Sequence, residues 1–297
     1  MHYDLKEKVI IITGANSEVG KAACIQLARC NATVIMACRS SEIGAQALVD
    51  VRNESNSPRV DLMQVDLSSQ ESIRQFAREF LERYGELHVL IHNAANLDDS
   101  QKKLVLTADG IETVFATNHL GPFLLTHLLL DALKDCAPSR IVTVASKGLI
   151  SYPLLDIEFD NLNGEQQFTP QHAYYHSKQA QVMFTFDLAE RLRGKGVTVH
   201  CVRAGDTAIP GEQLARPLEE MLSTNEMKRG SSISLKQIAE TYLWLSADLI
   251  GEQQTGGYWV APGVAVTANK NAYNKETQKA LWDISAELTG VHQHAVG

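Results

Sequence analysis

Short runs rich in β-branched residues alternate along this chain with longer stretches of helical periodicity, and that alternation constrains the fold more than any other feature. Residues 8–13, 33–37, 60–65, 89–92, 140–145, 197–202 and 257–260 read as strands. Residues 19–30, 41–51, 70–84, 110–133, 172–193, 235–249 and 275–288 read as helices. Repetition of this kind builds parallel strands joined by crossover helices. Several strand runs, such as Val9-Ile10-Ile11-Ile12, are apolar at every position, as strands covered on both faces must be. The predicted class is α/β: a single-domain, doubly wound parallel sheet of about seven strands with helices on both faces, of the Rossmann type. No repeat, low-complexity tract or linker divides the 297 residues, so one domain over 1–297 is expected. Residues 206–234 hold Pro210, Gly211, Pro217 and Gly230 and read as a loop-plus-helix lid over a substrate. Residues 291–297 read as a polar, flexible tail.

Charge and cysteine usage narrow the partners. The formal net charge is -8 and the lysines and arginines are dispersed, which argues against a nucleic-acid surface. Cys24, Cys30, Cys38, Cys136 and Cys201 are odd in number and lack a CxxC pair, as expected for reduced thiols of a cytoplasmic protein. His172 and His176 are four apart, yet no third ligand follows at a fitting spacing, so no metal site is expected. Neither a signal peptide nor a transmembrane segment is legible. The apolar stretch 120–133 is broken by Gly121, Pro122, Thr126, His127 and Asp131 and reads as a buried helix.

The turn Thr13-Gly14-Ala15-Asn16-Ser17-Glu18-Val19-Gly20 joins the first strand to the first helix. Such a turn lets backbone approach a pyrophosphate at the helix N-terminus, where N–H groups point outward. Gly14, Asn16, Ser17, Val19 and Gly20 are its candidate contacts. Glu18 opposes them: a carboxylate near a phosphate charge costs roughly 1–3 kcal/mol, and far less if it points into solvent. After the second strand, Cys38-Arg39 stands where an acidic residue would hold the ribose of NAD(H). A guanidinium pairs with a 2′-phosphate, so NADP(H) is favoured over NAD(H). Asp66 and Leu67 end the third strand beside an adenine edge, although Asp66 is equally placed to cap the helix starting near Ser69. Asn93 and Ala94 follow the fourth strand as further cofactor candidates.

Tyr174 and Lys178 are four apart, so a helix carries both on one face. A phenol near pKa 10 is a poor acid at neutral pH, and an adjacent ammonium is expected to lower that value. Ser146, ending the fifth strand, is placed to hold a substrate oxygen while charge builds there. Asn118 is a polar group inside an otherwise apolar helix, able to anchor a water linked to Lys178. Asn118, Ser146, Tyr174 and Lys178 in that order form the candidate catalytic set, with Tyr174 and Lys178 also facing the cofactor.

On these motifs the chain resembles the short-chain dehydrogenases/reductases over nearly its whole length. It is most similar to the branch of the retinol dehydrogenases and the oxidoreductase domain of WW-domain-containing oxidoreductase. The resemblance rests on residues 13–20, 37–39, 87–95, Asn118-His119-Leu120-Gly121, 140–146, 174–178 and Leu281-Trp282-Asp283-Ile284-Ser285. It implies NADP(H)-linked interconversion of an alcohol and a carbonyl on a lipophilic, retinoid- or steroid-like substrate, the four residues above forming the family's tetrad. It also implies that a homodimer through 120–133 and 180–192 is open to the chain. Glu18 in place of a glycine, Ala95 in Asn-Ala-Ala, and Arg203-Ala204-Gly205 where a Pro-Gly pair is usual depart from the pattern. The resemblance implies Thr207, after that turn, as a cofactor contact, and Ala204 weakens this assignment. With Glu18 it motivates a second reading, a binding or scaffold protein with weak or lost cofactor affinity.

Overall fold

The computed structural model describes residues 3–97, 103–205 and 235–291. Five strands run in the order in which the apolar runs occur: β1 (Val9–Thr13), β2 (Thr33–Cys38), β3 (Val60–Gln64), β4 (Val89–His92) and β5 (Ser139–Ser146). They are followed by β6 (Val197–Ala204), β7 (Gly257–Ala261) and the two-residue β8 (Val264–Ala265). The sheet order is β3-β2-β1-β4-β5-β6-β7-β8, with every pair parallel except β7 and β8. The eighth strand escapes a sequence reading because two residues are too few to show a period.

β1 shows why its apolar run is continuous. Ile11 points into a core with α3 (Gln70–Arg83), α5 (Gly121–Asp135) and α6 (Pro170–Arg191). Ile10 and Ile12 point into the opposite core with α1 (Glu18–Arg29), α2 (Ser41–Ser55) and α7 (Leu235–Ala247). Alternate side chains of a strand face opposite ways, so a strand between two helical layers has no polar side to spare. The helix starts follow side-chain caps: Ser17, Ser40, Ser69 and Thr169 each accept an N–H of the first turn. Ser69, not Asp66, therefore caps α3.

The helix expected over 110–133 starts later and is not uniform. Gly110 is left-handed (φ 75°), and α4 (Thr113–Phe115) begins at Glu112. The buried carboxylate of Glu112 accepts the N–H groups of Val114 at 2.8 Å and Phe115 at 2.7 Å. A π-helical turn, Ala116–Leu120, then precedes α5 and carries Asn118. Glu112→Ala leaves two buried donors without a partner and is expected to cost about 1–2 kcal/mol. Urea unfolding of the pair measures it.

Two further helices follow: the short α8 (Leu249–Gln253), separated from α7 at Asp248, and α9 (Lys275–Thr289). Trp282 of α9 packs edge-on to Phe123 of α5 at 5.1 Å, and the Arg191 guanidinium of α6 lies 3.9 Å from a Trp282 ring. Gln70 Nε2 ties α3 to the carbonyl of Leu288 at 2.8 Å. The helical segments suggested for a homodimer thus lie partly beneath α9. No helix among the described residues is long and apolar enough to cross a membrane. The lid expected over 206–234, with Thr207, and tail residues 292–297 lie outside the described residues.

Candidate active site

In an open parallel sheet, ligands sit beyond the carboxyl ends of the strands where the order reverses. Here that point is the junction of β1 and β4. A cleft of about 470 Å³ opens there, extending from the β2 end to α6. Its walls include Gly14, Asn16, Ser17, Val19, Arg39, Asp66, Leu67, Asn93, Ala94, Ser146, Tyr174 and Lys178. The two groups of residues singled out in the sequence, cofactor candidates and acid–base candidates, therefore meet in one cavity.

The turn after β1 is held by its neighbours. Gly14 has φ 62°, and a β-carbon there would lie 2.7 Å from Ala94 Cα. Asn93 Nδ2 donates to the carbonyls of Thr13 (2.9 Å) and Gly14 (3.1 Å) and to Ser17 Oγ (3.3 Å). The Ala94 N–H donates to Thr13 Oγ1 at 3.0 Å. Gly20 is not a wall of the cleft; it is buried under the turn, where a β-carbon would meet Gly14 O at 2.6 Å. Its N–H is taken by Ser17 Oγ. Glu18, the residue held against a phosphate site, is exposed in the first turn of α1 and is not a wall of the cleft either. Arg39 is exposed at the mouth beyond β2. Asp66 folds a local turn, its Oδ1 accepting the N–H and hydroxyl of Ser68 at 2.9 and 2.7 Å.

At the other end, α6 presents Tyr174 and Lys178 one turn apart. Lys178 is 2 % exposed; its Nζ donates to the Val144 carbonyl at 2.8 Å and lies 5.7 Å from the centre of the Tyr174 ring. Burial lowers Lys178 to about 8. Burial raises the Tyr174 phenol, a hydrogen bond with Ser146 pulls it back, and Tyr175 raises it further. The expected lowering by Lys178 is thus corrected. The group that favours the phenolate is Ser146, because the desolvated ammonium is turned onto a backbone carbonyl.

Asn118 is fully buried behind the cleft wall. Its amide donates to Asn96 O and Ser177 Oγ, both at 3.0 Å, and its Oδ1 accepts the Asn96 N–H at 2.6 Å. Ser177 in turn donates to the Tyr174 carbonyl at 2.7 Å. The amide expected to anchor a water is committed to protein groups, and its geometry joins the loop after β4 to the helix carrying Tyr174. The Asn118 carbonyl accepts Gln181 Nε2.

Sequence reasoning missed Tyr242 of α7. It is fully buried, reaches the cleft, and donates its hydroxyl to Asn93 Oδ1 at 3.2 Å, so it braces the residue that braces the glycine turn. Its only signal was a tyrosine inside an apolar helical pattern. Asn96, Thr117 and Ser40 are further walls with no motif of their own. Ala204, paired in register with Ser146, is a wall as well.

A family model of the short chain dehydrogenases matches residues 8–155. Mouse (Mus musculus) retinol dehydrogenase 12 is 37% identical over 286 residues, covering 96% of this chain and 87% of the relative. Human (Homo sapiens) retinol dehydrogenase 11 is 38% identical over 287 residues, covering 97% and 87%. A crystal structure of an uncharacterized protein from Mycobacterium Paratuberculosis superposes with a TM-score of 0.74 at 27% identity, covering 97% of this chain and 95% of that one. Identity at this level along almost the full length decides the matter: the chain belongs to the short-chain dehydrogenase/reductase family, in the branch of the retinol dehydrogenases.

Proposed function

We propose that this protein is an NADP(H)-dependent oxidoreductase that interconverts an alcohol and a carbonyl on a lipophilic, retinoid- or steroid-like substrate. The observation that carries the reading is the convergence of Ser146, Tyr174 and Lys178 on the same cleft as the Gly14 turn and Arg39. The residues fit a dinucleotide. The α1 N-terminus, Asn16 and Ser17 wall the middle of the cleft, and Arg39 stands at its far end without a carboxylate among the walls beside it except Asp66. A nicotinamide cofactor bound there supplies or accepts the hydride. In reduction, the Tyr174 phenol gives its proton to the substrate oxygen; in oxidation the phenolate takes it back. Ser146 holds the oxygen end by hydrogen bonding and favours the phenolate, and Lys178, charged below about pH 8, faces the cofactor.

The relatives' names support a lipophilic alcohol or aldehyde. Five free thiols fit a reducing compartment, and we place the protein in the cytoplasm; its recovery in a membrane pellet on cell fractionation would contradict that. The scaffold reading rested on Glu18 and Ala204, and of these only Ala204 reaches the cleft.

Titration with NADPH and NADH, followed by turnover of all-trans-retinal, tests the proposal. Micromolar NADPH binding is expected, and no binding at millimolar NADPH would transfer the case to a scaffold. Arg39→Ala is expected to weaken NADPH by about tenfold, the value of one exposed charge-assisted contact, with NADH affected about twofold or less. Equal weakening of both cofactors would remove the 2′-phosphate from the argument.

A further inference from the structure

Beyond Ser146 the chain enters a 3-10 turn, Lys147–Ser151, in which Gly148 faces two groups at once. The Gly148 N–H donates to Ser146 Oγ at 3.2 Å. On its other side lies the ring of Tyr175, the residue after the proposed acid. A β-carbon built on Gly148 falls 2.5 Å from Tyr175 Cζ and closer still to Cε1 and the hydroxyl. The need for glycine here is one of space, because the backbone at 148 is not left-handed.

Tyr175 has little freedom to yield. Its ring is tilted against Tyr152 at 4.6 Å and stands edge-on to Tyr174 at 5.3 Å. Displacement by a side chain at 148 is therefore passed to Tyr174. The Ser146 hydroxyl has one hydrogen and two lone pairs. With the Gly148 N–H on a lone pair, the hydrogen is left for the Tyr174 oxygen, and a donor into the hydroxyl strengthens its outgoing bond.

We propose that Gly148 and Tyr175 are positioning residues of the acid–base pair: Gly148 orients the Ser146 hydroxyl toward the Tyr174 oxygen, and Tyr175 sets the angle of the Tyr174 ring. Neither needs to touch substrate. The inference rests on the acid–base role of Tyr174 stated above.

The experiment uses the full chain with NADPH and two probes, all-trans-retinal and 4-nitrobenzaldehyde. Gly148→Ala is expected to lower kcat roughly 10–100-fold, with the NADPH Kd changed by about threefold or less, since displacement at a reacting group acts on turnover. Adding Tyr175→Ala to Gly148→Ala is expected to recover about tenfold, because the clash is removed. Wild-type kcat in Gly148→Ala, or a double variant no better than the single one, overturns the proposal. If Gly148→Ala does not fold, Tyr175→Ala alone carries the test: a kcat unchanged from wild type overturns it, and a loss with unchanged NADPH affinity supports it.

A second readout does not depend on turnover. The tyrosinate titration of Tyr174, taken as wild type minus Tyr174→Phe, is expected to move up by about one pH unit in Gly148→Ala. No movement overturns the proposal. Should the wild type itself turn over neither probe, the acid–base reading has failed, and the titration still judges the geometry of Gly148.

Discussion

Replacing Tyr174 with phenylalanine is expected to lower kcat by about 10²–10⁴-fold, the range carried by a positioned general acid. The substitution removes one oxygen from a half-buried ring that stands edge-on to Tyr175 and beneath Lys178 Nζ, so packing is retained. Cofactor affinity is expected to change by about threefold or less, because the turn that grips it is built from Gly14, Asn93 and Ser17 at the other end of the cleft. Stopped-flow turnover with NADPH, beside a fluorescence titration of the same variant, separates the two effects. Wild-type turnover in Tyr174→Phe would eliminate the proposed acid. A variant that loses cofactor and turnover together would make Tyr174 a binding residue and leave the proton donor unassigned.

Lys178→Met is expected to abolish most turnover and yet stabilise the fold at neutral pH. The ammonium is buried and titrates at about 8, against 10.5 for the ordinary side chain. Between those values the unfolded chain binds more protons than the folded one, so wild-type stability rises with pH across the window. Below it the full cost of burying the charge is present, about 3 kcal/mol from the size of the shift. Methionine keeps the unbranched stem and removes the charge, but leaves the Val144 carbonyl without its donor, a loss of about 1 kcal/mol. The variant is therefore expected to be about 2 kcal/mol more stable at pH 7, with the difference shrinking toward pH 10.5. Urea unfolding at two pH values measures this, and a variant less stable than wild type at pH 7 would mean that the ammonium is better solvated than its surroundings indicate. Such a pair of effects is what a functional charge in a core predicts: the protein keeps a residue that costs stability because the chemistry requires it.

Much of the architecture was written in short-range pattern. The apolar run Val9-Ile10-Ile11-Ile12 can only be a strand covered twice, and the two cores confirm it by dividing Ile11 from Ile10 and Ile12. Ser17, Ser40, Ser69 and Thr169 each precede a helix they cap, because an oxygen at that position satisfies an N–H that nothing else can reach. The four-residue interval between Tyr174 and Lys178 places them on one face wherever the helix sits. These are consequences of chain geometry over a few residues, and they carried the sheet and most of the cleft.

What the sequence could not settle depends on which groups lose their water and which distant chains they then meet. Whether the Glu18 carboxylate would face a phosphate was open until α1 turned it into solvent. The phenol of Tyr174 was expected to be tuned by Lys178, but desolvation raises the one and lowers the other, and the hydrogen bond that counts comes from Ser146. Asn118 was legible as an unusual amide, yet its partners, Asn96 and Ser177, lie 22 and 59 residues away. Tyr242 showed locally only as a tyrosine in an apolar helical pattern, and the Asn93 it braces lies 149 residues away. By itself the sequence determined a doubly wound sheet with a glycine turn at one end of a cleft and a tyrosine–lysine helix at the other, because both follow from backbone period. Only the tertiary structure decided the charge states, the braces and the fit of Gly148 against Tyr175, because burial and contact between segments remote in the chain exist only once it has folded.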